Sequence, residues 1–324
     1  MSRAAAVVNF LKEWTLPVSI GTGAALYFLF AFVPALDGAA RFFEPVIEAI
    51  FPTFLFLVLF VTFCRVDFHK IRFRRWHWWV GATQLVMVAV MVLLIKYYRL
   101  EGDNLAVAEC VLMCLLAPCA SAAPVVTAKL GGNLEDITAF MFLSNLATAV
   151  LIPLLFPTID PGLHMSFWAS FLQLLYKVCS VLLLPMALAH VVKHATPRLH
   201  RAIMRHPDLS FYFWGCSLVI VTGTTMRNIV HSDATATMLV TIGLLSLVVC
   251  VAQFATGRYI GHYTGQAIET GQALGQKNTA FAIWVASAFL HPLSSVGPGC
   301  YILWQNLINS AELWRHQHPH NKNT

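Results

Sequence analysis

Charge is what this sequence has least of. Asp, Glu, Lys and Arg make up only 11% of its 324 residues, against about 25% in a typical soluble domain. With 58% hydrophobic residues and a mean hydropathy of +0.69, too little polar surface remains to cover a globule in water. Metal-type cysteine spacing is also missing. Cys64, Cys110, Cys114, Cys119, Cys179, Cys216, Cys250 and Cys300 include no Cys-x-x-Cys pair; they lie mostly inside apolar runs, where they read as small packing residues, so no metal is expected. There is no nucleophile elbow, phosphate loop or zinc-protease motif, and hence no catalytic residue to nominate and no enzyme to expect. No cleavable signal pattern is present; residues 1–15 read as an amphipathic lead into the first apolar run. The formal charge of +6 does not point to nucleic acid, because the charges flank apolar runs instead of forming a basic face.

What is present is a series of apolar runs long enough to cross a hydrocarbon core of roughly 30 Å as helices. An all-α polytopic membrane protein is expected, with spans near 16–36, 45–65, 77–98, 104–128, 133–156, 177–195, 210–228, 235–257, 262–290 and 293–311. The apolar, aromatic stretch Met165–Tyr176 is placed in the interface. Most basic residues, including Arg65, Arg72, Arg74, Arg75, Lys129, Arg198, Arg201, Arg205 and Arg258, then fall on one side. Arg3, Lys12 and Lys322 join them if both termini are cytoplasmic in a bacterial inner membrane.

Ten spans divide into two halves of five, 16–156 and 177–311, joined by an interfacial linker at 157–176. An odd number per half makes the second half enter the membrane inverted, a plan common among secondary transporters. Arginine-rich links recur once per half, at Asp67–His77 and Ala195–Asp208. Glutamines recur in the two third spans, Gln84 and Gln253.

The fourth span of each half is interrupted. LLAPCASAAPVVTAKLGGN carries Pro118, Ser121, Pro124 and Thr127 at mid-depth, and two prolines remove backbone donors and clash with preceding carbonyls. AIETGQALGQKNTAFAIW carries Gly271 and Gly275 among Glu269, Gln272, Gln276, Lys277, Asn278 and Thr279. Two broken helices at matching positions point to a binding site where they cross, with half-helix N-termini suited to an anion.

A deep ionisable group costs at least about 2.5–3.5 kcal/mol on insertion scales, so each asks for a reason. Glu269 and Lys277, eight apart, are expected to face each other across the unwound turn, either as a structural ion pair or as direct ligands. Glu109 is a proton-site candidate or an interfacial carboxylate, and Lys177 a snorkelling interfacial residue. The tail 312–324, ending HQHPHNKNT, reads as a short polar extension.

At these residues the sequence resembles the bile acid:sodium symporter family. The most specific stretches are APCASAAPVVTAKLGGNLEDITAFMFLSNLATAVLIPLL and GQKNTAFAIWVASAFLHPLSSVGPGCYILWQN, with KVCSVLLLPMALAHVVKH similar to a KxxxxLLP pattern. The resemblance implies ten helices, a core of spans three to five and eight to ten, and a panel of spans one, two, six and seven. It also implies a substrate cavity between core and panel, with sodium bound beside the crossover. Gln84 stands where the family's third-span glutamine ligand is expected, and Glu269 where the ninth-span glutamate is. The family's ExGxQN run is stretched here to ETGQALGQKN, an offset of three that can put Lys277 in place of a sodium-binding glutamine. Ala123 and Pro124 stand at the fourth-span polar pair, and Ile137 and Met141 at the fifth-span hydroxyls. A hard cation needs several oxygens, and those side chains offer none. An ammonium at Lys277 would stand in for the ion, or exchange protons.

The functional expectation is a carrier for a small or amphipathic organic anion, working by alternating access. Sodium enters only through the resemblance, and no other cofactor is expected. Proton-coupled or uncoupled transport through Glu269 and Lys277 is the first alternative, an intramembrane lipid-modifying enzyme the second and a multi-span sensor the third. Substrate identity, transport direction and oligomeric state stay open.

Overall fold

A computed structural model describes residues 14–159, 166–232 and 234–318. Among these the chain is helical, without β-strands beyond one isolated backbone bridge. The helices are α1 (Thr15–Phe32), α2 (Asp37–Arg65), α3 (Arg75–Tyr97), α4 (Gly102–Leu116), α5 (Ala123–Lys129), α6 (Leu134–Ile159) and α7 (Phe167–Ala195). They continue with α8 (Pro197–Met204), α9 (Leu209–Val230), α10 (Ala236–Thr264), α11 (Ala267–Gly275), α12 (Thr279–Phe289) and α13 (Val296–Gln317). Seven of them, α1, α2 from Pro45, α3, α6, α7, α9 and α10, are long and apolar enough to cross a membrane.

Their outward faces agree with that solvent. Val240, Leu244 and Val248 form an exposed stripe at i, i+4 spacing on α10. Exposed Trp78 and Trp79 near one end of α3, and Tyr97 and Tyr98 at the other, are spaced like interfacial anchors. A water-soluble monomer does not carry apolar surface of this extent.

Two packing groups emerge. In one, α9 lies on α1 and α2, and α2 on α7; in the other, α10 packs on α3, α4, α11 and α13. The groups meet where α6 touches α7, and where α9 and α1 touch α13. One buried cluster threads both: Leu59 and Phe63 of α2, Trp76 of α3, Phe140 and Met141 of α6, Leu182 of α7, and Ala273 and Leu274 of α11.

Several sequence expectations shift. Phe167–Tyr176, expected in the interface, is helical and continuous with α7, since no proline or glycine interrupts its apolar run before Pro185. The fifth-span helix continues through Pro153 and Pro157 to Ile159, so the linker expected at 157–176 shrinks to residues 160–166, of which 160–165 lie outside the described residues. The helix of the eighth span runs to Thr264, where Gly265 at φ +75° ends it in the left-handed conformation that glycine adopts without penalty. The segment expected as the ninth span accordingly begins its first helix at Ala267. α13 extends to Gln317. Residues 1–13 of the lead, with Arg3 and Lys12, and the tail from Pro319, with His320 and Lys322, lie outside the described residues.

Gly271 does not break a helix, and Gly275 is the last helical residue before the break. Both lie within α11, where they let it press on α10. A Cβ at Gly275 would stand 2.4 Å from the Phe254 ring, and one at Gly271 2.9 Å from Arg258 Cγ. Gly257 and Gly261 complete the seam from the α10 side. A Cβ at Gly257 would meet the backbone oxygen of Thr270 at 2.4 Å, and one at Gly261 the Cα of Ala267 at 2.3 Å. Backbone cannot step aside as a flexible side chain can. Gly257→Ala should therefore cost about 1–3 kcal/mol, the range for overpacking. Gly81→Ala, with nothing within 4 Å of its Cβ, should leave the melting temperature of the purified protein unchanged or raised. Equal melting temperatures for the two variants would contradict this packing.

Candidate functional site

Two helices stop short. α4 ends at Leu116 and the chain is unwound until α5 begins at Ala123; α11 ends at Gly275 and α12 begins at Thr279. Pro118 sits inside the first gap, and Pro124 occupies the first turn of α5, where a missing N–H costs nothing. The unwound segments run antiparallel across each other, bridged at Cys119 and Lys277. Asn278 N–H donates to Pro118 O at 2.8 Å, and Ala120 N–H to Gln276 O at 2.9 Å.

The remaining peptide groups are taken up by side chains. Gln84 Nε2 donates to the oxygens of Leu115 and Ala117 at 3.0 Å each, and Thr148 Oγ1 to Leu116 O at 3.1 Å. Gln253 Nε2 donates to Cys114 O at 3.2 Å and to the Tyr301 hydroxyl at 3.0 Å, which donates onward to Gly275 O at 2.8 Å. Ser144 Oγ accepts Cys119 N–H, and Asn145 Nδ2 donates to Cys119 O at 3.4 Å. Gln305 holds the Lys277 backbone from both sides, accepting its N–H at 2.8 Å and donating to its oxygen at 3.2 Å. The two glutamines read as ligand candidates, Gln84 and Gln253, are thus braces behind the crossover, with their amide nitrogens turned to carbonyls.

In front of the crossover lies a cavity of about 350 Å³. Ser121, Gln276, Lys277, Asn278 and Thr279, all nominated from the sequence, line it together. Phe51 and Leu55 of α2, Lys177 of α7 and Trp214 of α9 close it from the other packing group. Among the described residues no Asp or Glu lines it. Lys177 was taken for a snorkelling residue; its Nζ stands 3.5 Å above the centroid of the Trp284 ring, which also lines the cavity. Asn145, Gln305 and Asn306 are further wall residues that sequence reasoning missed. The available signal was polarity inside apolar helices, at Asn145 in α6 and at Gln305 and Asn306 in α13.

Other nominated residues fall elsewhere. Glu269, in the first turn of α11, accepts Asn133 N–H at 2.6 Å, so the pair expected with Lys277 is not formed. Two turns of α11 intervene between Glu269 and the break. Gln272 faces α13, donating to Asn309 Oδ1 at 2.9 Å and Glu312 Oε2 at 3.0 Å. Thr127 is buried in α5, outside the cavity wall. Glu109 accepts the Ser294 hydroxyl at 2.6 Å and His291 N–H at 3.3 Å, capping the short 3₁₀ turn before α13. Among the described residues no group of three or more His, Cys, Asp and Glu is placed to hold a metal ion.

Removing Gln305 tests how the crossover is held. Gln305→Leu leaves the buried Lys277 N–H without its acceptor, a loss of about 1–3 kcal/mol. Asn306→Leu removes only a donor to its own helix, at Ile302 O. The melting temperature should fall more for the first variant than for the second, and the reverse order would contradict the bracing role.

No curated protein gives a significant match to the chain. A family model described as the Sodium Bile acid symporter family matches residues 52–232, more than half of the 324 residues. The matched segment runs from α2 to the end of α9 and includes the α4–α5 break. By this match the chain is a transmembrane protein of a transporter family, and it belongs to the sodium bile acid symporter family.

Proposed function

We propose that this protein is a secondary transporter for a small or amphipathic organic anion, binding it at the crossover and releasing it by alternating access. The observation that carries this reading is the cavity. Among the described residues it is walled mostly by apolar side chains and holds two lysines, Lys177 and Lys277, with no carboxylate. Its volume lies within the range of small-molecule sites. The first residues of α12 form part of the wall, adding the positive end of a helix dipole. The Gln276 carboxamide has no hydrogen-bond partner on either polar atom, so it has both a donor and an acceptor free for a ligand.

On this reading the ten spans form two inverted halves. α1, α2, α3, α4–α5 and α6 make the first, and α7, α9, α10, α11–α12 and α13 the second. Each half then has its break in its fourth span. The core would comprise α3–α6 and α10–α13, and the panel α1, α2, α7 and α9, with the cavity between them. Lys129 of α5 pairs with Asp208, at the start of α9, at 2.7 Å, and its Nζ lies 4.3 Å from the Phe211 ring centroid. This contact joins core to panel at the end of the bundle richest in Lys and Arg. That end is cytoplasmic in our reading, with both termini there in a bacterial plasma membrane.

Two measurements test the reading. Lys177→Gln should weaken stabilisation of the purified protein by an amphipathic monocarboxylate on the order of tenfold, about 1.4 kcal/mol. It should also slow uptake of the same anion into proteoliposomes. Separating Lys129 from Asp208 by Asp208→Asn should raise the labelling rate of a cysteine placed on the cytoplasmic side of the cavity. Chemical modification of the anion or of lipid without uptake would favour the alternative of a lipid-modifying enzyme.

A further inference from the structure

We infer that Lys277 is a built-in cation: its ammonium holds the place at the crossover that a mobile coupling ion would fill, so this chain binds no sodium there. The inference deepens the carrier reading above by stating what accompanies the anion.

The argument begins with the helix ends. α4 and α11 both run into the crossover with their C-termini, and each brings the equivalent of about half a negative charge. In transporters with discontinuous helices, such ends and the unwound carbonyls beside them coordinate sodium or protons. Lys277 lies two residues past the end of α11 and is bridged to Cys119, three residues past the end of α4. Its residue is 1% exposed, and its Nζ has no hydrogen-bond partner among the described residues. Among the described residues no carboxylate is paired with it, and Glu269 bonds Asn133 instead. A lone buried charge is costly, and here two converging carbonyl ends offset part of the cost.

The oxygens at the crossover point the same way: among the described residues the side-chain oxygens without a partner there, Gln253 Oε1 and Gln276 Oε1, are neutral carboxamides. The carbonyls of Cys114, Leu115, Leu116, Ala117, Pro118 and Cys119 each accept from Gln253, Gln84, Thr148, Asn278 or Asn145. Those of Gly275, Gln276 and Lys277 accept from Tyr301, Ala120 and Gln305. The buried and half-buried acids of this packing group are committed at other places. Glu109 accepts from Ser294, Glu269 from Asn133, Asp136 from Arg74 and Glu312 from Arg258. Ile137 and Met141, buried in α6, add no oxygen. A sodium ion at the crossover would meet an ammonium and find no carboxylate. A tethered ammonium cannot leave with the substrate, so a sodium gradient has no ion through which to act.

The test uses full-length protein in detergent and reads cation binding directly, so its outcome does not depend on which anion, if any, is carried. Wild-type protein should show the same melting temperature in sodium chloride and in choline chloride at equal ionic strength, and no saturable binding of radiolabelled sodium. Lys277→Ala should melt lower. n-Propylammonium, which replaces the deleted chain and charge, should restore its melting temperature saturably, while 1-propanol should not. Saturable sodium binding by the wild-type protein overturns the inference whether or not any variant folds. So does a Lys277→Ala protein as stable as wild type that ignores n-propylammonium. Loss of anion-dependent stabilisation alongside sodium indifference would remove the carrier reading while leaving the tethered cation in place.

Discussion

The antiparallel contact between Pro118–Ala120 and Gln276–Asn278 is what the rest of the structure depends on. Helices that stop inside a hydrocarbon layer expose peptide groups that water cannot reach, and an unpaired group there costs several kcal/mol. Two short backbone segments cannot satisfy one another completely, so neighbouring helices contribute Gln84, Thr148, Asn145, Ser144, Gln253, Tyr301 and Gln305. This accounts for the placement of polar side chains in otherwise apolar spans. Each braces a particular carbonyl or N–H, and together they fix which helices must surround the break.

With the backbone satisfied from behind, the front of the crossover is left to face a cavity. Its wall combines the core residues Ser121, Gln276 and Lys277 with Phe51, Lys177 and Trp214 from the second packing group. The charge pairs sit elsewhere. Arg74 with Asp136, Arg258 with Glu312, and Lys129 with Asp208 lie near helix ends. Only the Lys129–Asp208 pair is open to solvent on both sides, and a pair of that kind is worth about 0–1 kcal/mol; Asp136 and Glu312 are largely shielded.

The sequence makes the membrane class, the long apolar helices and both interruptions legible, because proline, glycine and charge density act locally. Ser121, Gln276, Lys277, Asn278 and Thr279 were found for the same reason: polar residues beside a break have few alternatives. Side-chain direction was not legible. Gln84 and Gln253 look like ligands by position, yet a carboxamide can turn nitrogen or oxygen to its neighbour, and here nearby carbonyls take the nitrogen. Glu269 looked like a partner for Lys277 across eight residues of sequence. α11 stays helical through Gly271, however, so the unwound turn that would have brought them together lies beyond Gly275. The contact of Lys177 with the Trp284 ring was not legible either, because that ring is more than a hundred residues away.

The glycine seam between α10 and α11 has a mechanical consequence. With Gly257, Gly261, Gly271 and Gly275 in close contact across it, neither helix can slide or roll against the other without collision. The two therefore move as one body, and the crossover end of α11, which carries the chain to Lys277 in the cavity wall, can shift only if α10 shifts with it.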